Sequence, residues 1–230
     1  MRTAVIVQDP AGYRLRVQAL QAAHPNVHAF SSITHPHPHT RAIHIPADWI
    51  PADPSMPYDR RCWLKSEAMG TAAVIEHRIM ADQYWFIESD VVASQDRWTA
   101  LFADWEGVDA DCVCQPLRLR ANTPEIVWWK DPGTPAWADA HLLMSCYRLS
   151  RRAVLEMQRC AVEMRECLSE ITVASVMRRA GMSMANVNGR QMHWNSQTMK
   201  THEHKVIINP KLVNHPVKAN TFGVPLTTAE

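Results

Sequence analysis

The chain predicts an α/β fold, a mixed and mostly parallel sheet with helices on both faces, and three observations carry that expectation. Residues 3–30 read strand–helix–strand, the opening of a βαβ unit. An amphipathic helical stretch at 63–80 feeds directly into an apolar run at 84–92. Strand-like and helix-like segments then keep alternating towards the C-terminus. At 230 residues the chain buries enough surface for one large domain, taken as residues 1–230.

The elements follow in order. Residues 3–8 (Thr-Ala-Val-Ile-Val-Gln) form a buried first strand. Residues 13–23 are helical, with Leu15, Ala19 and Ala22 on one face, and Pro25 and Asn26 end them. A short strand follows from Val27 to Phe30. Residues 34–60 hold six prolines, which exclude a long helix or central strand and predict a surface loop long enough to suggest function. Leu64, Ala68, Ala72, Ile75 and Ile79 mark the helix over 63–80.

The strand at Tyr84–Val92 comes next, then a short helix around Arg97–Trp105 and a strand at Asp111–Cys114. Residues 121–141 are irregular and carry Trp128, Trp129 and Trp137 among prolines. Leu142–Leu149 is strand-like. Ser150 is the expected N-cap of a helix striped by Val154, Met157, Ala161, Met164 and Leu168. A helix over Ile171–Ala180 stops at Gly181. Lys205–Ile208 is a late strand before the Asn209-Pro210 turn and the tail with Asn214-His215-Pro216.

Lys+Arg of 24 against Asp+Glu of 23 argues against bulk electrostatic binding of nucleic acid or anionic membrane. The N-terminal apolar run is too short for a signal peptide, and no stretch approaches a membrane span. The six cysteines lack a C-x-x-C pair and read as reduced and mostly buried, so a cytoplasmic location is expected. The P-loop, dinucleotide-binding and nucleophile-elbow motifs are absent from a chain with seven glycines. The His35, His37 and His39 run alternates with proline, which splays the rings apart, and His202-Glu203-His204 lacks metalloprotease spacing.

The chemically informative segment is Tyr84-Trp-Phe-Ile-Glu88-Ser89-Asp90-Val-Val92. Two carboxylates one residue apart on a strand share a face, about 6–7 Å apart at the backbone. A buried strand holds two charges only against a cation, a base or a solvent-filled cleft. At the carboxyl end of a sheet strand, where open α/β sheets bind ligands, a hard divalent cation carrying a phosphorylated ligand is a natural occupant.

This segment resembles the D-x-D-type motif of nucleotide-sugar transferases of GT-A fold, with Glu88 in place of the first aspartate. Ser169-Glu170, which opens a helix after the run Cys146–Ala153, resembles the acid at a helix start that serves inverting members as catalytic base. Asn214-His215-Pro216 resembles the segment carrying a late histidine metal ligand. The resemblance implies a GT-A-like domain that moves a sugar from a UDP- or GDP-linked donor to a glycan or small-molecule acceptor hydroxyl. It implies Asp90 and His215 as ligands of Mn²⁺ or Mg²⁺. Glu88 would bind the ion directly, through water, or bind the donor sugar. Glu170 would be the base.

Arg60, Arg61 and Lys65 would contact the donor phosphates or form a solvated face. Trp128, Trp129 and Trp137 would stack on sugar rings or close the core. A metal-dependent nucleotidyltransferase or phosphodiesterase, and a non-catalytic carbohydrate-binding protein of the same fold, remain open as alternatives.

Overall fold

The structure is a computed structural model that describes residues 1–9, 16–33, 40–89, 91, 93–114, 117–125, 127–143, 145–186, 192–194 and 213–215. The sheet has seven strands: β1 (Thr3–Asp9), β2 (Val27–Ser32), β3 (Arg41–Ile43), β4 (Gln83–Glu88), β5 (Cys112–Cys114), β8 (Cys146–Ser150) and β9 (Met184–Asn186). Their spatial order is β3-β2-β1-β4-β8-β5-β9. All pairings are parallel except those of β8, which runs antiparallel to both β4 and β5. The predicted mixed, mostly parallel sheet is present. A second pair, β6 (Leu117–Leu119) and β7 (Ala140–Leu142), is antiparallel, and β10 (Met192–Trp194) pairs in parallel with β11 (Val213–His215).

Strand alternation divides the core in two. Ala4, Ile6, Tyr84, Phe86, Tyr147 and Leu149 point to one face, covered by α3 (Ser66–Glu76), α5 (Arg151–Cys160) and α6 (Ser169–Arg179). Val5, Val7, Trp85, Ile87 and Cys146 point to the other, covered by α1 (Arg16–Ala23) and α4 (Gln95–Glu106). On that second face Trp85 packs against Phe102 and Trp105 with ring centroids 5.1 and 5.3 Å apart. All six cysteines are free and buried. Among the described residues no helix is long and apolar enough to cross a membrane.

Several boundaries differ from the sequence expectation. The helix expected over 63–80 is two helices, α2 (Tyr58–Leu64) and α3, broken at Lys65, whose φ of −125° and ψ of 47° leave the helical region. At the break the Lys65 side chain is buried, its ammonium bonded to the Met164 and Cys167 carbonyl oxygens. Helix α3 then closes at Arg78, which adopts φ 50°, while Ile79 N–H bonds back to the Val74 carbonyl. That is the same left-handed closure that Gly181 (φ 64°) supplies after α6, where Met182 N–H reaches Met177 O. Ile79 is buried by this turn, which is why it mimicked a helical stripe.

The proline-rich 34–60 segment contains β3 and the start of α2. The strand-like run 142–149 is two strands, β7 and β8, in different sheets. Helix α5 ends at Cys160, so Met164 is buried from a turn. Ser150 does cap α5, its hydroxyl accepting from Ala153 N at 3.2 Å. The same hydroxyl donates to Asp111, which also accepts from Arg152 and from Ser183 N and Oγ. Led by the Arg152 bonds, these donors hold the Asp111 carboxyl far below its usual range. They join the start of β5, the end of β8 and the entry to β9. The strand expected at Lys205–Ile208 lies outside the described residues.

Gly70 sets how closely α3 approaches the sheet. A Cβ there would stand 2.3 Å from Gln8 Nε2 and 2.5 Å from Phe86 Cδ1. Phe86 is buried and stacked on Tyr147 at 5.1 Å, so it has no room to retreat. Gly70→Ala is therefore expected to destabilise the protein by about 1–3 kcal/mol through overpacking, despite its gain in helix propensity. Urea denaturation checks this; a neutral or stabilising effect would show that α3 lifts off the sheet without cost.

Candidate active site

The crossing directions place several polar groups at one edge. Helix α3 runs back against β4, so its first turn lies at the carboxyl end of that strand, and α6, which leads into β9, starts at the same edge. This is the edge where α/β sheets bind ligands. Glu88 is the last residue of β4, half-buried, on the same face as Tyr84 and Phe86. Gln8 of β1 is its register partner and is buried, its Nε2 without a hydrogen-bond partner among the described residues. Ser66 Oγ lies 3.5 Å from Glu88 Oε1, and Glu88 N–H donates to Ser145 O.

Glu170 lies in the first turn of α6. Burial pushes its carboxyl up to about 7, with further upward pressure from Glu88 and Glu67, against a backbone hydrogen bond and the Lys65 charge. The helix start alone would favour the carboxylate. Desolvation and two neighbouring acids outweigh it here. Burial, Glu67 and Glu88 likewise keep the Tyr147 hydroxyl protonated. Three carboxylates, Glu67, Glu88 and Glu170, thus act on one neighbourhood, and Glu67 is paired there with Lys65. Among the described residues, however, no three His, Cys, Asp or Glu side chains gather as a ligand set.

The other expected site residues fall out as follows. Asp90 lies outside the described residues, as does the side chain of His215. The His215 backbone is part of β11, in a two-stranded sheet separate from the main one, rather than in a loop tail. Lys65 is corrected from a phosphate contact to an interior anchor. It is 1% exposed, and its Nζ donates to Met164 O and Cys167 O at 2.9 Å and to Thr172 Oγ1 at 3.1 Å, and pairs with Glu67. Arg61 donates to Pro51 O at 3.2 Å and lies over the Tyr58 ring; Arg60 is exposed on α2. Neither is drawn to Glu88.

Of the two expectations for Trp129, a sugar platform or a core residue, the structure shows the core residue. It is 5% exposed, its Nε1 donates to Thr123 O at 2.9 Å, and its ring meets His141 edge-on. Trp137 is partly buried, with the Arg179 guanidinium 3.8 Å from its ring centroid, so one face is taken. Of Trp128 only the backbone is described. Sequence reading missed Ser66 and Glu67, and named Ser169 at its helix start without a role. The available signal was a polar triplet, Lys65-Ser66-Glu67, between Leu64 and Ala68 of the apolar stripe.

An α/β sheet with carboxylates clustered at the carboxyl edge of its parallel strands defines the class of architecture. No family model matches the chain, and no curated protein matches it in sequence. Among solved structures the chain is similar to the galactosyltransferase LgtC in complex with donor and acceptor sugar analogues, at 14% identity and TM-score 0.49, covering 93% of this chain and 86% of that one. It is similar to mouse xyloside xylosyltransferase 1 at 8% identity and TM-score 0.45, covering 87% and 90%. It is also similar to CMP:2-keto-3-deoxy-manno-octonic acid synthetase complexed with CTP, at 11% identity and TM-score 0.44, covering 81% and 89%. At these scores the likenesses assign no activity to this chain.

Proposed function

We propose that the chain transfers a glycosyl unit from a nucleotide-sugar donor to an acceptor hydroxyl, with inversion, at the carboxyl edge of β4. The observation that carries the reading is the pairing of Glu88 at a strand end with Glu170 at a helix start. The Glu170 carboxyl is raised to about 7, the range in which a carboxylate serves as general base near neutrality. Glu88, with Asp90 and His215 from the motif resemblance, would hold Mn²⁺ or Mg²⁺. A cation so held supplies charge neutralisation for the departing diphosphate.

The rest is the work of the chain's own groups. Glu170 takes the proton of the acceptor hydroxyl as that oxygen bonds to the anomeric carbon. The bond from that carbon to the diphosphate breaks, and the nucleoside diphosphate leaves with the electron pair. Half-burial of Glu88 and Glu170 limits water at the reacting carbon, which favours transfer over hydrolysis. Tyr147 stays neutral, its hydroxyl kept protonated by burial and by Glu67 and Glu88.

Incubation with Mn²⁺ and a panel of nucleotide-sugars tests the reading. Release of nucleoside diphosphate that stops on adding EDTA and returns with excess Mn²⁺ is expected. Release of pyrophosphate or nucleoside monophosphate would instead identify a nucleotidyltransferase or phosphodiesterase. Sugar binding indifferent to EDTA, without turnover, would identify a binding protein.

A further inference from the structure

We infer that Lys65 and Glu67 are positioning residues, which fix the first turn of α6, and with it Glu170, against the end of β4. The inference deepens the glycosyl-transfer reading and rests on it for its kinetic part.

The geometry is specific. Lys65 occupies the non-helical junction between α2 and α3. Its ammonium bonds the Met164 and Cys167 carbonyls, which belong to the turn that delivers the chain to α6, and Thr172 Oγ1 within α6. Glu67 pairs with Lys65 and accepts from the hydroxyl of Ser169, the residue before Glu170. That hydroxyl also lies 2.7 Å from Leu64 O. Ser66, between the two charged residues, is the one that reaches Glu88. Three consecutive residues therefore touch the approach to α6, its first turn and the end of β4.

A stability role alone accounts poorly for this choice. Lys65 and Glu67 are 1% and 3% exposed. Burying such a pair gains little over well-packed apolar side chains and is often worse. What hydrocarbon cannot supply is direction. Apolar contacts between α3 and α6 tolerate small sliding and rotation, whereas an ammonium fixed on three oxygens and a carboxylate fixed on a hydroxyl do not. A base that must meet an acceptor hydroxyl at hydrogen-bond distance needs that constraint, since displacement of about 1 Å costs up to about 100-fold in rate.

The test uses Glu67→Gln and the double variant Lys65→Met/Glu67→Leu, in the full chain. The double variant removes both charges together and so leaves no unpaired buried ion. Two readouts are taken: amide hydrogen exchange along α5 and α6 without any ligand, and kcat and KM for the donor that the wild type turns over. Expected for the double variant are a melting temperature close to wild type and exchange at residues 169–173 faster by roughly 10-fold or more; Glu67→Gln, which leaves Lys65 without its buried partner, should show the same exchange pattern at a lower melting temperature. Protection in α5 should be unchanged, and kcat should fall by about 10-fold or more at a donor KM within about two-fold. Unchanged exchange at 169–173, or an unchanged kcat, would overturn the inference. So would loss of protection spread evenly over α3, α5 and α6 in step with a large fall in melting temperature, which would make the pair a stability element only. If the wild type turns over no donor, the transfer reading has failed, and the exchange pattern still decides whether these residues hold the α6 start.

Discussion

Glu170→Gln is expected to lower the transfer rate by about 100- to 10,000-fold, the usual contribution of a general base, with donor KM little changed. The same substitution is expected to make the protein more stable at pH 8. The sign follows from the raised carboxyl. In the unfolded chain Glu170 ionises near 4.5, and in the folded protein only near 7. Between those values the folded state holds a proton that the unfolded state has released, so stability falls as pH rises through this window. Glutamine never ionises and escapes that loss, for a gain of about 1–3 kcal/mol at pH 8 and almost none at pH 4. The rate of the wild type should rise with pH through the same region, with a cation bound near Glu88 moving the acid limb lower. Initial rates from pH 5 to 9 and thermal melts at pH 4 and 8 measure both effects. A variant that keeps its rate and loses stability would make Glu170 a plain helix-start acid, and the base would lie elsewhere.

The opposed effects of this substitution bear on what a sequence reveals. Residues whose role is set by their own segment were legible. The unbroken apolar run Tyr84–Ile87 announces a core strand, and Ser150 announces its helix. Gly181 announces a left-handed stop, which it makes. Glu170 was legible as an acid at a helix start, but the direction of its ionisation was not. The helix start argues for easy ionisation, and only the burial and the facing Glu67 and Glu88 reverse it. Lys65 was misjudged for the same reason. Its partners Met164, Cys167 and Thr172 lie some hundred positions away, so periodicity placed it on a solvated helix face. Trp129 likewise found its hydrogen bond at Thr123 and its ring partner at His141, which composition cannot foresee. Arg78 closes α3 in a conformation for which the sequence offers no glycine cue. Local chemistry was readable, and pairings across the fold were not.

Arg148→Ala is expected to cost about 3–5 kcal/mol of stability. Arg148 is 1% exposed on β8 and pairs in register with Trp85. Its guanidinium donates to Trp105 O at 2.6 Å, to Glu106 O at 3.3 Å and to Val108 O, just at the end of α4. A helix end exposes carbonyls with no partner within the helix, and it carries partial negative charge that a cation complements. Removing the fork strands these oxygens inside the protein and opens space beside Trp85 and Trp105. Arg148→Met restores the stem and separates the two costs: the difference between the two variants measures packing, and the remainder measures the bonds. Arg148→Lys should recover part of the loss, since it keeps the charge without the planar fork. Urea midpoints at constant slope give all three values. Glu88 faces the opposite side of the sheet, with Phe86 and α3, so donor turnover per folded molecule is expected to hold in these variants. A fall in turnover at full folding would mean that strain at Trp85 passes along β4 to Glu88, two faces of one strand moving together because its backbone is pinned by β1 on one side and β8 on the other.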